Sequence, residues 1–98
     1  MNVETYGEII VPMHLEQHEY EKLVSRAQAK RVTQRFERFR TVVLDFSGVA
    51  EIGQAFADEI FRVFQNAHPG TRLTPTEMTP AVRNMVRRAI AAGRPAET

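Results

Sequence analysis

The stretch that most constrains the fold is residues 41–64, which predict a buried strand, a tight turn and an amphipathic helix. Residues 41–46 form a mostly apolar run rich in β-branched side chains, which is typical of a strand covered on both faces. Ser47 and Gly48 break this run, and the helix is predicted to begin at Gln54. Its apolar residues recur at helical spacing: Phe56, Ile60, Phe64 and Ala67, with Val63 widening the stripe. The stretch therefore predicts the central strand–turn–helix unit of a small α/β domain.

Binding sites in sheet domains of this kind form where strands end and helices begin. The junction around the predicted turn therefore supplies a candidate rim, which consists of Asp45, Ser47, Gly53, Gln54 and Asp58. Asp45 closes an apolar strand, so its carboxylate is expected to accept backbone N–H groups of the following turn. Asp58 and Glu59 point in different directions, so they are predicted to be solvated charges of the early helix and not an acid–base pair. Asp58 also precedes Arg62 by four residues, a spacing at which surface ion pairs form.

The rest of the chain supplies further strands and helices. The predicted elements are a strand at 7–11 ended by Pro12, a polar loop at 14–21, a short strand at 22–24, a helix at 26–38 capped by Ser25, a strand at 71–74 ended by Pro75, and a helix from Pro80 to Gly93 capped by Thr79. This order predicts an α/β fold of β-α-β-α-β-α type with a mainly parallel sheet, to which an extra N-terminal strand could add. With only three helices, one face of the sheet is expected to be incompletely covered, which would suit self-association or a partner.

Length and composition limit the class of protein. A length of 98 residues predicts one domain, with an N-terminal strand and acidic loop in residues 1–24, the core in 25–93 and a tail in 94–98. The absence of cysteine excludes disulfides and thiolate metal sites. No apolar run approaches the ~20 residues of a membrane span, and the first residues lack a signal-peptide pattern, so a cytoplasmic protein without membrane contact is expected. A net charge of +1 does not favour binding to nucleic acid.

Charge is distributed unevenly along the chain. Residues 1–24 carry five Glu against one Lys, whereas residues 25–40 carry six Lys or Arg against one Glu. The predicted helix at 26–38 places Phe36 and Phe39 on its apolar stripe, so these rings are expected in the core and not against nucleic-acid bases. The opposite side of the helix is basic and is expected to steer or anchor a charged partner through Arg26, Lys30 and Arg31.

The residue types supply no arrangement for catalysis or for binding a cofactor. His14 and His18 stand four residues apart, but their segment lacks a helical stripe, so an exposed polar loop is favoured over a zinc site. Ser25 and Ser47 have no histidine near them in the sequence and fit a helix cap and a turn. Residues 47–53 match no glycine-rich phosphate-binding motif. We therefore predict that the chain is not an enzyme and uses no metal or cofactor.

A resemblance to a known family is carried by four segments: LDFSGVAEIGQAFADEIFRVF, SRAQAKR, HPGTRL and VRNMVRRA. Together they resemble the bacterial STAS-like domain family of unknown function over about residues 20–89. That family is related in pattern to STAS domains, the fold of sulfate transporters and anti-sigma-factor antagonists. The resemblance implies a small sheet with helices and a functional rim at the start of the helix after the central strand.

The resemblance also bears on phosphorylation. In anti-sigma-factor antagonists the rim carries an Ile-Asp-Ser-Ser-Gly-like motif, whose second serine is phosphorylated by a kinase of the histidine-kinase ATPase superfamily. Laid without gaps from Asp45, the five motif positions fall on Ile52, Gly53, Gln54, Ala55 and Phe56. Ala55 therefore stands at the acceptor position without a hydroxyl, so the serine switch does not carry over.

The resulting hypothesis is a non-enzymatic regulatory module that docks a protein partner at the rim. The partner class that the resemblance implies is a histidine-kinase-type ATPase. The alternative is a nucleotide or small-anion sensor, in which the helix start at Gly53 and Gln54 holds a phosphate with help from Arg26 or Lys30. DNA binding through the basic helix is a further, less favoured hypothesis.

Overall fold

A computed structural model describes residues 6–17 and 21–93 of the chain. In chain order the elements are strand β1 (Tyr6–Pro12), a single 3₁₀ turn (Met13–Glu16), helix α1 (Arg26–Gln34), strand β2 (Phe39–Asp45), helix α2 (residues 54–67), strand β3 (Arg72–Thr76) and helix α3 (Pro80–Gly93). The predicted tail at 94–98 and part of the predicted loop at 14–21 lie outside the described residues.

The three described strands form one parallel sheet in the order β1-β2-β3, which confirms the predicted α/β fold. The order follows the sequence without reversal, so this sheet has no topological switch point of the kind where doubly wound folds bind ligands. Pro75 was predicted to end β3, but the strand continues to Thr76. Because β3 pairs only with β2 among the described strands, a proline on this edge strand can leave its missing N–H on the unpaired side.

The predicted strand at 22–24 does not form, because its backbone groups have other partners. The C=O of Leu23 accepts the N–H of Gly53 at 2.8 Å, and the N–H of Val24 donates to the side chain of Gln28 at 2.8 Å. Gln28 also completes a capping box with Ser25, which confirms the predicted start of α1. This segment therefore fixes the entry to α1 instead of extending the sheet.

Two helices differ from their predicted boundaries or faces. Helix α1 ends at Gln34, short of the predicted 38, because residues 35–38 form turns that lead directly into β2. Helix α2 consists of an α-helical start, a π-helical middle (Glu59–Phe64) and an α-helical end. The wider π turn brings Phe61 into the core, whereas Val63 is half-buried and Ala67 is exposed, contrary to the predicted stripe.

All three helices pack on one face of the sheet, where alternate strand residues enter the core. On β2, Val42 and Leu44 are buried while Val43 is half-buried, so the prediction of a strand covered on both faces is wrong. On the opposite face the side chain of Ile10 is 63% exposed. Within the described residues the sheet therefore has one packed and one open face, as predicted for a small sheet with only three helices. Within the described ranges no helix combines the length and the apolar character that crossing a bilayer requires.

Candidate functional site

The first part of the predicted rim lies where β2 ends. The carboxylate of Asp45 accepts the backbone N–H of Ser47 at 2.9 Å and also the Ser47 hydroxyl. These two donors, the hydroxyl first, lower the pKa of Asp45 below its ordinary value because they stabilise the ionised form. Gly48 follows with a φ of 79°, a left-handed conformation that suits glycine. The predicted role of Asp45 as a turn cap is confirmed, and Ser47 remains exposed.

The second part of the rim, at Gly53, is packed against the segment before α1. A Cβ built on Gly53 would lie 2.8 Å from the Cα of Val24, so the position has no room for a side chain. The N–H of Gly53 already donates to the C=O of Leu23. Gln54 comes next, in the first turn of α2, and its side chain is exposed. The N–H of Gly53 is therefore not available to bind a phosphate at this helix start.

The third part of the rim is Asp58, which joins α1 to α2. Its carboxylate accepts Nε and Nη2 of Arg62 at 2.6 Å each and Nη1 of Arg26 at 2.7 Å. These bonds, those of Arg62 first, lower the pKa of Asp58 to about 2. The carboxylate of Glu59 lies 3.5 Å from the same Arg26, and its side chain is buried, so the prediction that Glu59 is solvated is wrong. The ion-pair network holds two helices together with four charged groups.

We predict that this network makes stability depend on pH. Asp58 has a lower pKa in the folded chain than the ordinary 3.8, so its contribution is full above about pH 4 and is lost as the pH falls toward about 2. Asp58→Asn removes the charge that pairs with both arginines and should lower the free energy of unfolding by about 1–2 kcal/mol at pH 7. The loss is no larger because Arg26 is half exposed and solvent screens its charge. Urea unfolding at several pH values measures this difference, which should shrink between pH ~4 and ~2. A difference that stays constant over that interval would contradict the assignment.

The structure divides the predicted site residues into separate groups. Asp45 and Ser47 form one hydrogen-bonded pair at the end of β2, whereas Asp58 and Arg26 belong to the contact between α1 and α2. Of the other predicted basic residues, Lys30 is exposed and Arg31 lies 3.9 Å from the carboxylate of Glu21. Among the described residues, no hydrogen bond or ion pair joins the Asp45–Ser47 pair to the Asp58 network.

Sequence reasoning missed the residues that α3 contributes beside the rim. A shallow depression between α2 and α3 is lined by Gln54, Asp58, Met85, Arg88, Ala89 and Ala92. Arg88 and Gln54 therefore line the same depression although the two are far apart in the sequence. The basic character of α3 was visible as Arg83, Arg87 and Arg88 without any carboxylate in the helix. Its placement beside α2 required the packing of the two helices.

The site offers side chains for ionic and hydrogen-bonded contacts. In the part of the chain that the structure describes, no three His, Asp or Glu side chains come close enough to hold a metal ion. His14 lies in the 3₁₀ turn, while His18 falls outside the described residues.

A family model described as a STAS-like domain of unknown function (DUF4325) matches residues 28–83, which is more than half of the chain. Comparison with curated proteins found no match, and comparison with solved structures found none either.

Proposed function

The chain belongs to the family of STAS-like domains of unknown function, and from that premise we propose that it is a non-enzymatic regulatory module that binds a protein partner. The partner surface that we propose is acidic, and the partner class implied by the STAS resemblance is a histidine-kinase-type ATPase. We also propose that the module takes part in bacterial signal transduction and that it does so in the cytoplasm, where such an ATPase would act.

The observation that carries the proposal is the charge of the helix face, by which we mean the exposed residues of α1, α2 and α3. Helices α1 and α3 each contain three cationic residues and no carboxylate. The two carboxylates of α2, Asp58 and Glu59, are already within 4 Å of Arg26 or Arg62. Among the described residues, Lys30, Arg83, Arg87 and Arg88 therefore have no ion-pair partner. Unpaired cations on one face favour and steer association with an acidic surface.

The rim adds a neutral, exposed contact to this basic surface. Gln54 lines the same depression as Arg88 on α3 and Asp58, which binds Arg26 on α1. Its amide can both donate and accept hydrogen bonds, which suits recognition of a partner's backbone or side chains. Ala55, at the position that the resemblance assigns to a phosphoacceptor, is half-buried in the first turn of α2 and has no hydroxyl. Any switch in this module would have to use another residue or a modification of the partner.

The alternative of a nucleotide or small-anion sensor has weaker support. An anion at a helix start is bound by free backbone N–H groups. The N–H of Gly53 already donates to the C=O of Leu23. Arg26, which was predicted to help hold the phosphate, is bound to Asp58. Lys30 is the one cation of that hypothesis that stays without an ion-pair partner in the described ranges.

Affinity capture from a bacterial lysate, with proteins identified by mass spectrometry, tests the proposed function. The unmodified chain is expected to retain an ATPase-type protein, and the double variant Lys30→Glu/Arg88→Glu should bind it at least about tenfold more weakly, or ~1.4 kcal/mol. Gln54→Glu should also reduce binding, because it places a carboxylate in the depression that Arg88 also lines and so weakens the attraction for an acidic partner.

The matched control is Arg38→Glu, which reverses one exposed charge in the turn between α1 and β2, outside the helix face, and should leave capture unchanged. Failure to retain any ATPase-type protein would overturn the assignment of the partner class. Equal retention by the unmodified chain and the helix-face variants would overturn the assignment of the binding surface.

A further inference from the structure

The open face of the sheet, which we call the outer sheet face, carries two ordered rows of side chains. Strand register places Glu8, Thr41 and Arg72 in one row and Ile10, Val43 and Thr74 in the next. Residues side by side in a parallel sheet point to the same face, and the alternate residues Ile9, Val42 and Leu73 belong to the packed face. The outer sheet face thus has a polar row, with Glu8 at one end and Arg72 at the other, beside a mostly apolar row. We call the second row, which holds Ile10, Val43 and Thr74, the apolar row.

This face is unusual for a sheet made of parallel strands, because such sheets occur almost only with both faces covered. Here the apolar row is open: Ile10 is 63% exposed at one edge and Val43 is half-buried at the centre. Both ends of the polar row are exposed, and in the described part of the chain neither Glu8 nor Arg72 has an ion-pair partner. The face offers apolar area and two unsatisfied charges to a partner.

The charges on the face are complementary to the same face on a second copy. When two such sheets face each other across a two-fold axis parallel to β2, the β1 of each copy lies over the β3 of the other. Glu8 then meets Arg72 of the second copy, and Arg72 meets its Glu8, so that two reciprocal ion pairs form and each charge gains one partner. Val43 lies over Val43 on the axis, and Ile10 lies over Thr74. Aligned sheet packing of this kind, about 10 Å apart, is one of the two common modes.

We propose that the outer sheet face binds a second copy of this chain in that arrangement, forming a two-fold symmetric dimer with reciprocal Glu8–Arg72 ion pairs. The next row on this face holds Pro12, Asp45 and Thr76. There Asp45 would lie near the axis and face the Asp45 of the second copy, so like charges oppose contact at this row. Asp45 is hydrogen-bonded to Ser47 at the edge of the sheet, so the contact is centred on the first two rows.

The size of the face sets the strength of the dimer. Three strands about 4.8 Å apart and about five residues long give a patch of only a few hundred Å². Stable dimers bury about 800 Å² on each partner, so this dimer is weak and depends on concentration, with a Kd of about 10 μM to 1 mM. It is independent of the helix face, because the two surfaces lie on opposite sides of the domain.

Sedimentation equilibrium of the full chain from about 10 μM to about 1 mM tests the dimer, because the monomer mass of 11.2 kDa should rise toward twice that value. Glu8→Arg and Arg72→Glu each place like charges opposite each other and should raise Kd by at least about tenfold. The double variant Glu8→Arg/Arg72→Glu restores opposite charges in both pairs and should return Kd to within about threefold of the original. Circular dichroism checks that each variant is folded.

Two charge reversals away from the outer sheet face serve as controls. Glu37→Arg, in the turn before β2, and Arg88→Glu, on the helix face, should leave Kd unchanged. A chain that stays monomeric over the whole concentration range would overturn the dimer. A dimer that forms but is not rescued by the double variant would overturn the two-fold arrangement. The dimer and the proposed function can fail separately. A variant that no longer captures an ATPase but still dimerises affects only the proposed function, and a variant that no longer dimerises but still captures an ATPase affects only the dimer.

Discussion

Replacing Phe36 with alanine is expected to lower the free energy of unfolding by about 3–5 kcal/mol. The ring is completely buried in the turn between α1 and β2. Its centroid lies 5.2 Å from that of Phe64 on α2, and the two rings meet edge to face. Truncation leaves a cavity at the contact of the first two helices and also removes the aromatic pair, which is worth about 0.5–1.5 kcal/mol beyond the buried area. Urea unfolding followed by circular dichroism measures the loss.

A matched control is Gln34→Ala, two residues earlier, whose side chain is exposed at the end of α1 and should change stability by no more than about 0.5 kcal/mol. The free energy of unfolding of small domains is about 5–15 kcal/mol, so the loss expected for Phe36→Ala is a large part of it. The urea concentration at the unfolding midpoint should therefore fall strongly. If Phe36→Ala and Gln34→Ala gave similar midpoints, the placement of Phe36 in the core would be wrong.

Gly53→Ala is expected to lower the free energy of unfolding by about 1–3 kcal/mol, although it adds only one methyl group. The new Cβ would lie 2.8 Å from the Cα and 3.1 Å from the carbonyl oxygen of Val24. Because those atoms are backbone, they cannot move aside as the end of a long side chain can. The shift would also stretch the hydrogen bond from Gly53 to Leu23, which positions the entry to α1. Thermal or urea unfolding provides the measurement.

Gly70→Ala supplies the comparison for Gly53, because a Cβ at Gly70 would have no atom within 4 Å apart from those of its immediate chain neighbours. That variant should be neutral or more stable by up to about 1 kcal/mol, since alanine restricts the unfolded chain more than glycine does. Equal stabilities of the two variants would show that the approach of Val24 to Gly53 places no real constraint on the fold.

Local chemistry explains why much of the fold could be predicted from sequence. Ser25 and Thr79 cap their helices through N–H groups three residues ahead, so their roles depend only on neighbours in the chain. Asp45 accepts from Ser47 two residues later for the same reason. The β-branched run of β2 and the spacing of Phe56, Ile60 and Phe64 likewise express preferences of short segments. The parallel order then follows from the handedness of the crossovers.

Contacts between distant residues explain the predictions that failed. The strand at 22–24 was predicted from its residue types, but the C=O of Leu23 is used by Gly53 on another element. Glu59 was predicted to be solvated because a helix position does not reveal its neighbours, yet it lies beside Arg26, on another helix. Such positions depend on how helices pack, which a local pattern does not contain.

The sequence by itself determined the strand–turn–helix unit at its centre, the helix caps and the β-α order, because each rests on interactions within a few residues. Only the tertiary structure decided that Arg26 is held by Asp58, 32 residues further on. It also decided that Glu8 and Arg72 stand at opposite ends of one row on an open face. These arrangements arise when packing of the helices and pairing of the strands bring distant residues together, and local residue preferences do not encode them.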